Sequence, residues 1–344
     1  MSSNAMGQGP KKRLTIQDVA REAGVSNATV SIVLSGGERA ERRASEQTRK
    51  KIHQIAERLG YVPSQAARGL RVGSPETVAL IMRWPESPWA QGILRDVSDV
   101  AQTRGYSTVW VSPEDGLKYL ERGSADIAIL DSAPEKETDL ARLQALAARG
   151  LSLCIFSNAV SPHGFDVVHT NEVSACEAGV RHLIAAGHRR IACLSNRQSH
   201  SAGEADEERY LAYARALERS GIELDPELVR AVGASRERAF CESRELLSLN
   251  EPPTAIFAVS DLAAISAIWA ALSLGKRVPE EVSIMGVGNA VEGTLISPAL
   301  TTIGPMERDY RTITRRLFKR HDHRGEDTVG VVFEEQWEII ERES

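Results

Sequence analysis

At 344 residues, the chain is too long for one ordinary core and suits a small domain followed by larger ones. Its composition is that of a soluble globular protein, and no apolar run approaches the roughly 18 residues of a membrane helix. The net charge of −5 is unevenly distributed, since residues 1–73 hold 13 Lys and Arg against 6 Asp and Glu, and the remainder holds 29 against 41. A basic first part on an acidic body favours contact between that part and phosphates.

The stretch 14–35 predicts two short helices joined by a tight turn. Thr15 is the predicted N-cap of the first helix, with Asp18 in its first turn, and Gly24 ends that helix. Ser26 is the predicted N-cap of the second helix, whose Val30 packs back on the first. Two helices around a glycine-containing turn resemble a helix-turn-helix, in which the second helix enters the major groove of DNA. A helix pair that is merely part of a core is the alternative.

A third helix is predicted from the cap Ser45 to Leu59, where Gly60 ends it. From residue 77 the pattern changes to short apolar runs that alternate with amphipathic helices, which is typical of parallel sheets covered by helices. The predicted strands are 78–82, 107–111, 125–130, 151–156, 189–195, 228–233, 254–260 and 282–288. Two such series indicate two lobes of similar design, with a ligand cleft at the carboxyl ends of their strands.

Reactive side chains give little sign of catalysis or metal binding. The sequence has no complete phosphate-binding glycine loop and no recognisable set of nucleophile and base. His321 and His323 are two residues apart in a polar connection with no third ligand apparent, so solvent exposure is the favoured interpretation. The four cysteines form no C-x-x-C pair and are expected to be buried free thiols in a reducing cytoplasm: Cys154, Cys176, Cys193 and Cys241.

Residues 15–34 match the pattern T-I-x-D-V-A-x-x-A-G-V-S-x-x-T-V-S-x-V-L almost throughout, and here the chain resembles the lactose repressor (LacI/GalR) family of bacterial transcription regulators. Further matches are H-L-x-x-x-G-H-R-R-I-A at 182–192, P-T-A-I-F-A-x-x-D at 253–261 and V-P-E-x-V-S-x-x-G at 278–286. The resemblance implies a small all-α helix-turn-helix head plus an α/β core of two periplasmic-binding-protein-like lobes with parallel sheets. It divides the chain into a disordered N-terminal arm (1–13), a DNA-binding domain (14–60), a hinge helix with linker (61–76) and an effector-binding and dimerisation core (77–344).

The resemblance also implies which residues contact DNA. Base edges are expected to meet Asn27, Ala28 and Ile32, and phosphates to meet Thr15, Ser26, Thr29 and Ser31. Within the second helix we expect all five of residues 27, 28, 29, 31 and 32 to be exposed. In the hinge segment, Leu70 matches an apolar wedge that enters the minor groove, with Ala67 beside it and Ser64 near the phosphates.

The family's effector positions match less well. Arg209 falls where an arginine grips the ligand, and Asp261 closes a strand that ends at the cleft. The remaining candidates for the effector site are Trp84, Trp89, Ser157, Ser235 and Asn289. Several acceptors and a stacking aromatic usual for a polyol are replaced, so a simple hexose is disfavoured against a less hydroxylated or anionic ligand, or none. Trp84 and Trp89 either supply a stacking face or pack against the lobe.

These features predict a dimeric, cytoplasmic repressor that binds a near-palindromic double-stranded DNA operator and responds to a small-molecule effector. We expect no enzymatic activity, no cofactor, no metal and no membrane contact. The alternative is a small-molecule binding protein of periplasmic-receptor type without DNA function. The chain stops without an added heptad helix, which favours a dimer over a tetramer.

Overall fold

The computed structural model describes residues 14–35, 42–61, 73–195, 204–323 and 329–344. The chain forms two compact units, residues 1–76 and 77–344. No helix within the described ranges is both long enough and apolar enough to cross a membrane.

The described part of the first unit contains three helices, α1 (Ile16–Ala23), α2 (Asn27–Ser35) and α3 (Glu46–Leu59). The Thr15 amide and hydroxyl both donate to Asp18 Oδ2, at 2.9 and 2.8 Å, so the predicted capping interaction is present. Gly24 and Gly60 end α1 and α3 with φ of 72° and 67°, a region that favours glycine. The buried core of the unit consists of Val19, Ala20, Ala23, Val30, Val33, Ile52, Ile55 and Ala56.

The second unit contains two six-stranded sheets, one in each lobe. The sheet of the first lobe comprises β1 (Thr77–Ile81), β2 (Ser107–Val111), β3 (Ile127–Leu130), β4 (Ser152–Phe156), β5 (Asp166–Thr170) and β11 (Val332–Glu335), in the order β11-β5-β4-β3-β1-β2. The sheet of the second lobe comprises β6 (Ile191–Ser195), β7 (Val229–Ala231), β8 (Ala255–Ala258), β9 (Ser283–Val287), β10 (Thr301–Pro305) and β12 (Trp337–Ile340), in the order β12-β10-β9-β8-β6-β7. All neighbours are parallel except β12, which runs antiparallel to β10.

Helices cover both sheets. Those of the second unit are α4 (Pro88–Thr103), α5 (Pro113–Glu121), α6 (Glu137–Ala148), α7 (Glu172–Ala185), α8 (Glu204–Arg219), α9 (Arg236–Leu247), α10 (Asp261–Ser273) and α11 (Tyr310–Asp322). The two lobes are not two successive chain segments, because α11 follows β10 of the second lobe yet packs on α4 in the first. β11 then joins the first sheet and β12 the second. The chain therefore crosses between the lobes three times.

A buried ion pair fastens the returning segment to the first lobe. Arg320 on α11 donates to the fully buried carboxylate of Asp166 at the start of β5, at 2.8 Å, and Arg316 donates to its other oxygen at 3.2 Å. The same carboxylate accepts from the Val331 amide at 2.9 Å, just before β11. One side chain thus links β5, the residue before the edge strand β11, and α11.

Two expectations about reactive side chains are each wrong for one residue, Cys241 and His321, whereas His323 is exposed as expected. Cys154, Cys176 and Cys193 are buried, and burial raises the pKa of all three thiols, but Cys241 is exposed on α9. His321 is half-buried rather than solvent-exposed, and its Nε2 lies 2.9 Å from the Tyr106 hydroxyl. Within the described residues, no group of three or more His, Cys, Asp and Glu side chains is placed to hold a metal ion.

Candidate DNA-binding unit and ligand cleft

Helix α2 presents its first residues to solvent. Asn27 and Ala28 are exposed, whereas Thr29, Ser31 and Ile32 are half-buried, so the expected exposure of all five residues holds fully for only two. The difference arises because α2 packs with α1 and α3, and Val30 and Val33 are buried in their common core. The face available for contact is therefore the N-terminal end of α2, with the later residues at its edge.

Thr15 and Ser26 lie exposed at the N-terminal ends of α1 and α2. The Ser26 hydroxyl accepts from the Thr29 amide at 3.1 Å and lies 3.0 Å from the Thr29 hydroxyl. The Ser26 side chain thus caps α2, whereas at the start of α1 the Asp18 carboxylate accepts from the Thr15 amide. Backbone amides at a helix N-terminus also suit a phosphate, so the two capped ends are compatible with the expected phosphate contacts. The hinge residues Ser64, Ala67 and Leu70 lie outside the described residues.

The second unit contains a cavity of ≈ 520 Å³ between its lobes. Its lining includes residues that lie one or two positions after strands of both sheets: Arg83, Asp131, Ser157, Ser260 and Gly288. The cavity therefore lies at the carboxyl ends of the parallel strands, as the alternating pattern predicts. Six of the seven candidate effector residues line it: Trp84, Trp89, Ser157, Arg209, Ser235 and Asp261.

Asn289, the seventh candidate, is not among the lining residues. Its amide nitrogen donates to the Pro305 carbonyl at 2.8 Å, and its amide oxygen accepts from Arg342 at 2.8 Å. The side chain thus joins β10 to the C-terminal segment. Because these contacts occupy both ends of the amide, we do not retain Asn289 in the proposed site.

Arg209 is already engaged by the protein. Its Nε donates to the Glu172 carboxylate, its Nη1 donates to the Val259 carbonyl at 2.7 Å, and its guanidinium lies 5.6 Å from the centre of the Trp337 ring. The side chains of Arg209 and Glu172 are only 17% and 16% exposed. An acidic ligand would therefore have to compete with the Glu172 carboxylate for Arg209, which argues against an anion bound at this arginine.

Asp261 holds the floor of the cavity together. One carboxylate oxygen accepts from the Thr302 hydroxyl at 2.5 Å, and the other accepts from the Ala290 amide at 2.5 Å. Burial raises the pKa of this carboxyl, and the two hydrogen bonds oppose that effect. A Cβ on Gly286 would lie 2.3 Å from the carboxylate, so only glycine lets the strand approach so closely. Asp261 thus links β10 to the segment that follows β9, and its contact with a ligand stays a prediction.

The two tryptophans differ in their surroundings. Trp84 is 40% exposed and lines the cavity. Trp89 packs edge-on against Phe156, with ring centroids 5.1 Å apart, and belongs to the periphery of the first lobe's core. Trp84 therefore has a face open to a ligand, whereas Trp89 is chiefly a packing residue at the cavity wall. The serines Ser157 and Ser235 accept from the amides of Ala159 and Arg238 at 3.1 Å each.

Several carboxylates of the cavity, among them Asp131 and Glu335, were not predicted from the sequence. Asp131 accepts from the Arg83 amide at 2.6 Å and from the Ser132 hydroxyl at 3.1 Å. Glu335 accepts from the Tyr310 hydroxyl and from the Trp337 indole, at 2.9 Å each. Burial raises the pKa of both carboxyls. Asp131 directly follows β3, so the rule that ligands bind at strand ends would have found it, whereas no local signal marks Glu335.

Comparison with known proteins agrees with both units. The family described as bacterial regulatory proteins, lacI family, matches residues 15–64, and the periplasmic binding protein-like domain matches residues 180–344. The HTH-type transcriptional repressor PurR of Pectobacterium carotovorum subsp. carotovorum is 29% identical over 96% of this chain and 96% of its own length.

Two solved structures resemble almost the whole chain. The transcriptional regulator CelR in complex with cellobiose is 26% identical, with a TM-score of 0.61 over 96% of this chain and 100% of its own. The Lac repressor dimer bound to operator and an anti-inducer shares the fold, with a TM-score of 0.66, 22% identity and coverage of 96% and 99%. This chain therefore combines a DNA-binding domain of the lacI family with a periplasmic binding protein-like domain, and it is similar over almost its whole length to transcriptional regulators.

Proposed function

We propose that this protein is a dimeric repressor that binds a near-palindromic operator and changes its affinity for that operator when a small molecule occupies the cleft. The observation that carries the proposal is the joint presence of an exposed α2 N-terminus on a well-packed three-helix unit and a lined cavity in the same chain. PurR, the relative described above, is named as a repressor, which supports the sign of the regulation.

In this proposal α2 reads the major groove. The exposed Asn27 amide suits adenine, which offers an adjacent donor and acceptor, and the exposed Ala28 suits a thymine methyl group. Ile32, at the edge of the same face, can make only apolar contact. Thr15, Ser26, Thr29 and Ser31 orient the unit on the phosphates, which adds affinity that falls as salt rises.

Two chains are proposed to act together. The Lac repressor, which shares this fold, was solved as a dimer on its operator, and that supports two DNA-binding units on two half-sites. We further propose that Leu70, flanked by Ala67 and Ser64, wedges into the minor groove between the half-sites and kinks the DNA.

The proposed effector acts by changing how the lobes close. Because three crossovers connect the lobes, a ligand that bridges them shifts the relation of one lobe to the other. Regulation requires that the ligand bind one closure state more tightly than the other. The relative CelR was solved with cellobiose, which supports the cleft as the effector site. The protein is proposed to act in the cytoplasm and to catalyse no reaction.

The competing function is a ligand-binding protein whose head no longer contacts DNA. Selection of bound fragments from sheared genomic DNA, at two salt concentrations, separates the two. The proposal expects a shared near-palindromic motif in the bound fragments. Salt-sensitive binding with no motif would overturn specific recognition and favour the competing function.

A further inference from the structure

The lining of the cleft is strongly acidic. Among the described residues, it includes three arginines, Arg83, Arg209 and Arg236, and no lysine. Against these stand seven carboxylates: Glu86, Asp131, Glu135, Glu172, Glu208, Asp261 and Glu335. Even if all three arginines are counted in full, the side chains around the cavity favour a positive partner.

Two of the arginines are, moreover, committed to contacts within the protein. Arg209 is paired with Glu172, as described above, so its charge is compensated before any ligand arrives. The Arg236 guanidinium lies 5.1 Å from the centre of the Trp269 ring, a stacking arrangement on an exposed tryptophan that does not line the cavity. The third, Arg83, lies near Asp131 and offsets part of the charge of that carboxylate.

With the residues that the structure describes, two carboxylates of the lining, Asp131 and Glu335, form no ion pair of the kind that Arg209 makes with Glu172. The hydrogen bonds described above for Asp131 and Glu335 come from uncharged donors: an amide and a hydroxyl for the first, a hydroxyl and an indole for the second. Burial raises the pKa of both groups, since the carboxylate form is poorly solvated there, and the charges of Arg83 near Asp131 and Arg308 near Glu335 oppose this only in part. A cation placed beside either group would recover the lost solvation of that carboxylate.

Aromatic side chains complete the lining. Trp84, Trp89, Phe156 and Trp337 all face the cavity, and Trp84 keeps 40% of its surface exposed. An indole face attracts a cation within about 6 Å of its ring centre, and the attraction grows where water is excluded. Carboxylates beside indole faces form the combination that recognises ammonium and guanidinium groups.

We infer that the effector carries a positively charged nitrogen, either ammonium or guanidinium, held by Asp131 beside Trp84. This inference rests on the proposed function, because it names the class of ligand that the cleft takes. It also replaces the anionic ligand suggested by the sequence, since Glu172 already occupies the arginine on which that suggestion depended.

The test compares ligands that differ in charge on the same scaffold. Glucosamine, glucose and glucuronate form one series, and cadaverine and glutarate form a second, each titrated calorimetrically into the full-length protein. We expect the cationic member to bind best in at least one series. Equal or tighter binding by a neutral or anionic member, or no binding in either series, would overturn the inference.

A variant assigns the effect to the cleft. Asp131→Asn should weaken binding of the cationic probe by roughly 10-fold or more, since a charge-assisted hydrogen bond is lost. Glu218→Gln is the matched control, because Glu218 is exposed and does not line the cavity, and it should change nothing. An equal loss in both variants, or none in either, would refute the role of Asp131.

A second measurement needs no ligand. If the cavity is electronegative, the ratio of caesium to iodide quenching should be higher for Trp84 than for free N-acetyltryptophanamide, with the contribution of Trp84 taken as the difference between the wild-type protein and Trp84→Phe. A ratio equal to or lower than that of the free compound would contradict the inference. Operator binding, measured on the same preparation, reports on the proposed function separately.

Discussion

The DNA-binding unit has a small core, so one substitution that shortens a buried side chain should destabilise that unit and leave the second unit unaffected. Ile52 on α3 is fully buried among residues of α1 and α2, and replacement by alanine removes three carbons from that core. Such a change costs about 2–5 kcal/mol. At roughly 0.05–0.15 kcal/mol per residue, residues 14–60 have a total stability of only about 2–7 kcal/mol. The substitution therefore consumes a large part of the unit's free energy of unfolding.

The assay is calorimetry of the full chain. Because the two compact units have separate buried cores, we expect two transitions, of which Ile52→Ala lowers only that of the DNA-binding unit, by roughly 10 °C or more. Operator binding should fail at temperatures between the shifted and the original midpoint. Gln54→Ala is the control, since Gln54 is exposed on the same helix. If Ile52→Ala left both the transition of the DNA-binding unit and operator binding unchanged, this account of the unit would be refuted.

Three further outcomes are expected. Asn27→Ala should weaken binding to the selected operator by about 1–3 kcal/mol, roughly 5–150-fold, and leave binding to unrelated DNA unchanged in competition titrations; an equal loss on both DNAs would contradict base reading. Arg320→Ala leaves the buried Asp166 carboxylate with Arg316, at 3.2 Å, as its remaining cation among the described residues, and should lower the free energy of unfolding of the second unit by about 3 kcal/mol in urea titrations. Arg142→Ala removes an exposed ion pair and should lower it by less than about 1 kcal/mol. Similar losses for these two variants would argue against the buried pair. A thiol reagent should label one cysteine of the native protein and none after Cys241→Ser; fast labelling of any other cysteine would contradict the burial described.

The helical unit was predictable because its signals are local. Thr15 and Ser26 cap helices, Gly24 and Gly60 end them, and the buried positions recur at helical spacing. The eight predicted strands are likewise apolar runs bounded by turns, and all are present with ends shifted by up to two residues. Signals contained within about ten residues thus sufficed for these elements.

Long-range pairing accounts for most of what was missed. The strands β5, β10, β11 and β12 were not predicted, and the crossovers depend on partners far apart in the chain, as where Val332 pairs with Val167. The position of the cleft followed from strand ends, but the engagement of Arg209 by Glu172 joins residues 37 positions apart. Asn289 turns away from the cavity for a similar reason, since its partner Arg342 lies 53 positions further on.

The central claim is that α2 reads a specific sequence. Its most direct test is the ratio of affinities for the selected operator and for a scrambled duplex of equal length and composition, measured by fluorescence anisotropy at physiological salt. The account predicts a ratio of about 10³ or more, typical of specific regulators. Equal affinities, falling together as salt is raised, would contradict it.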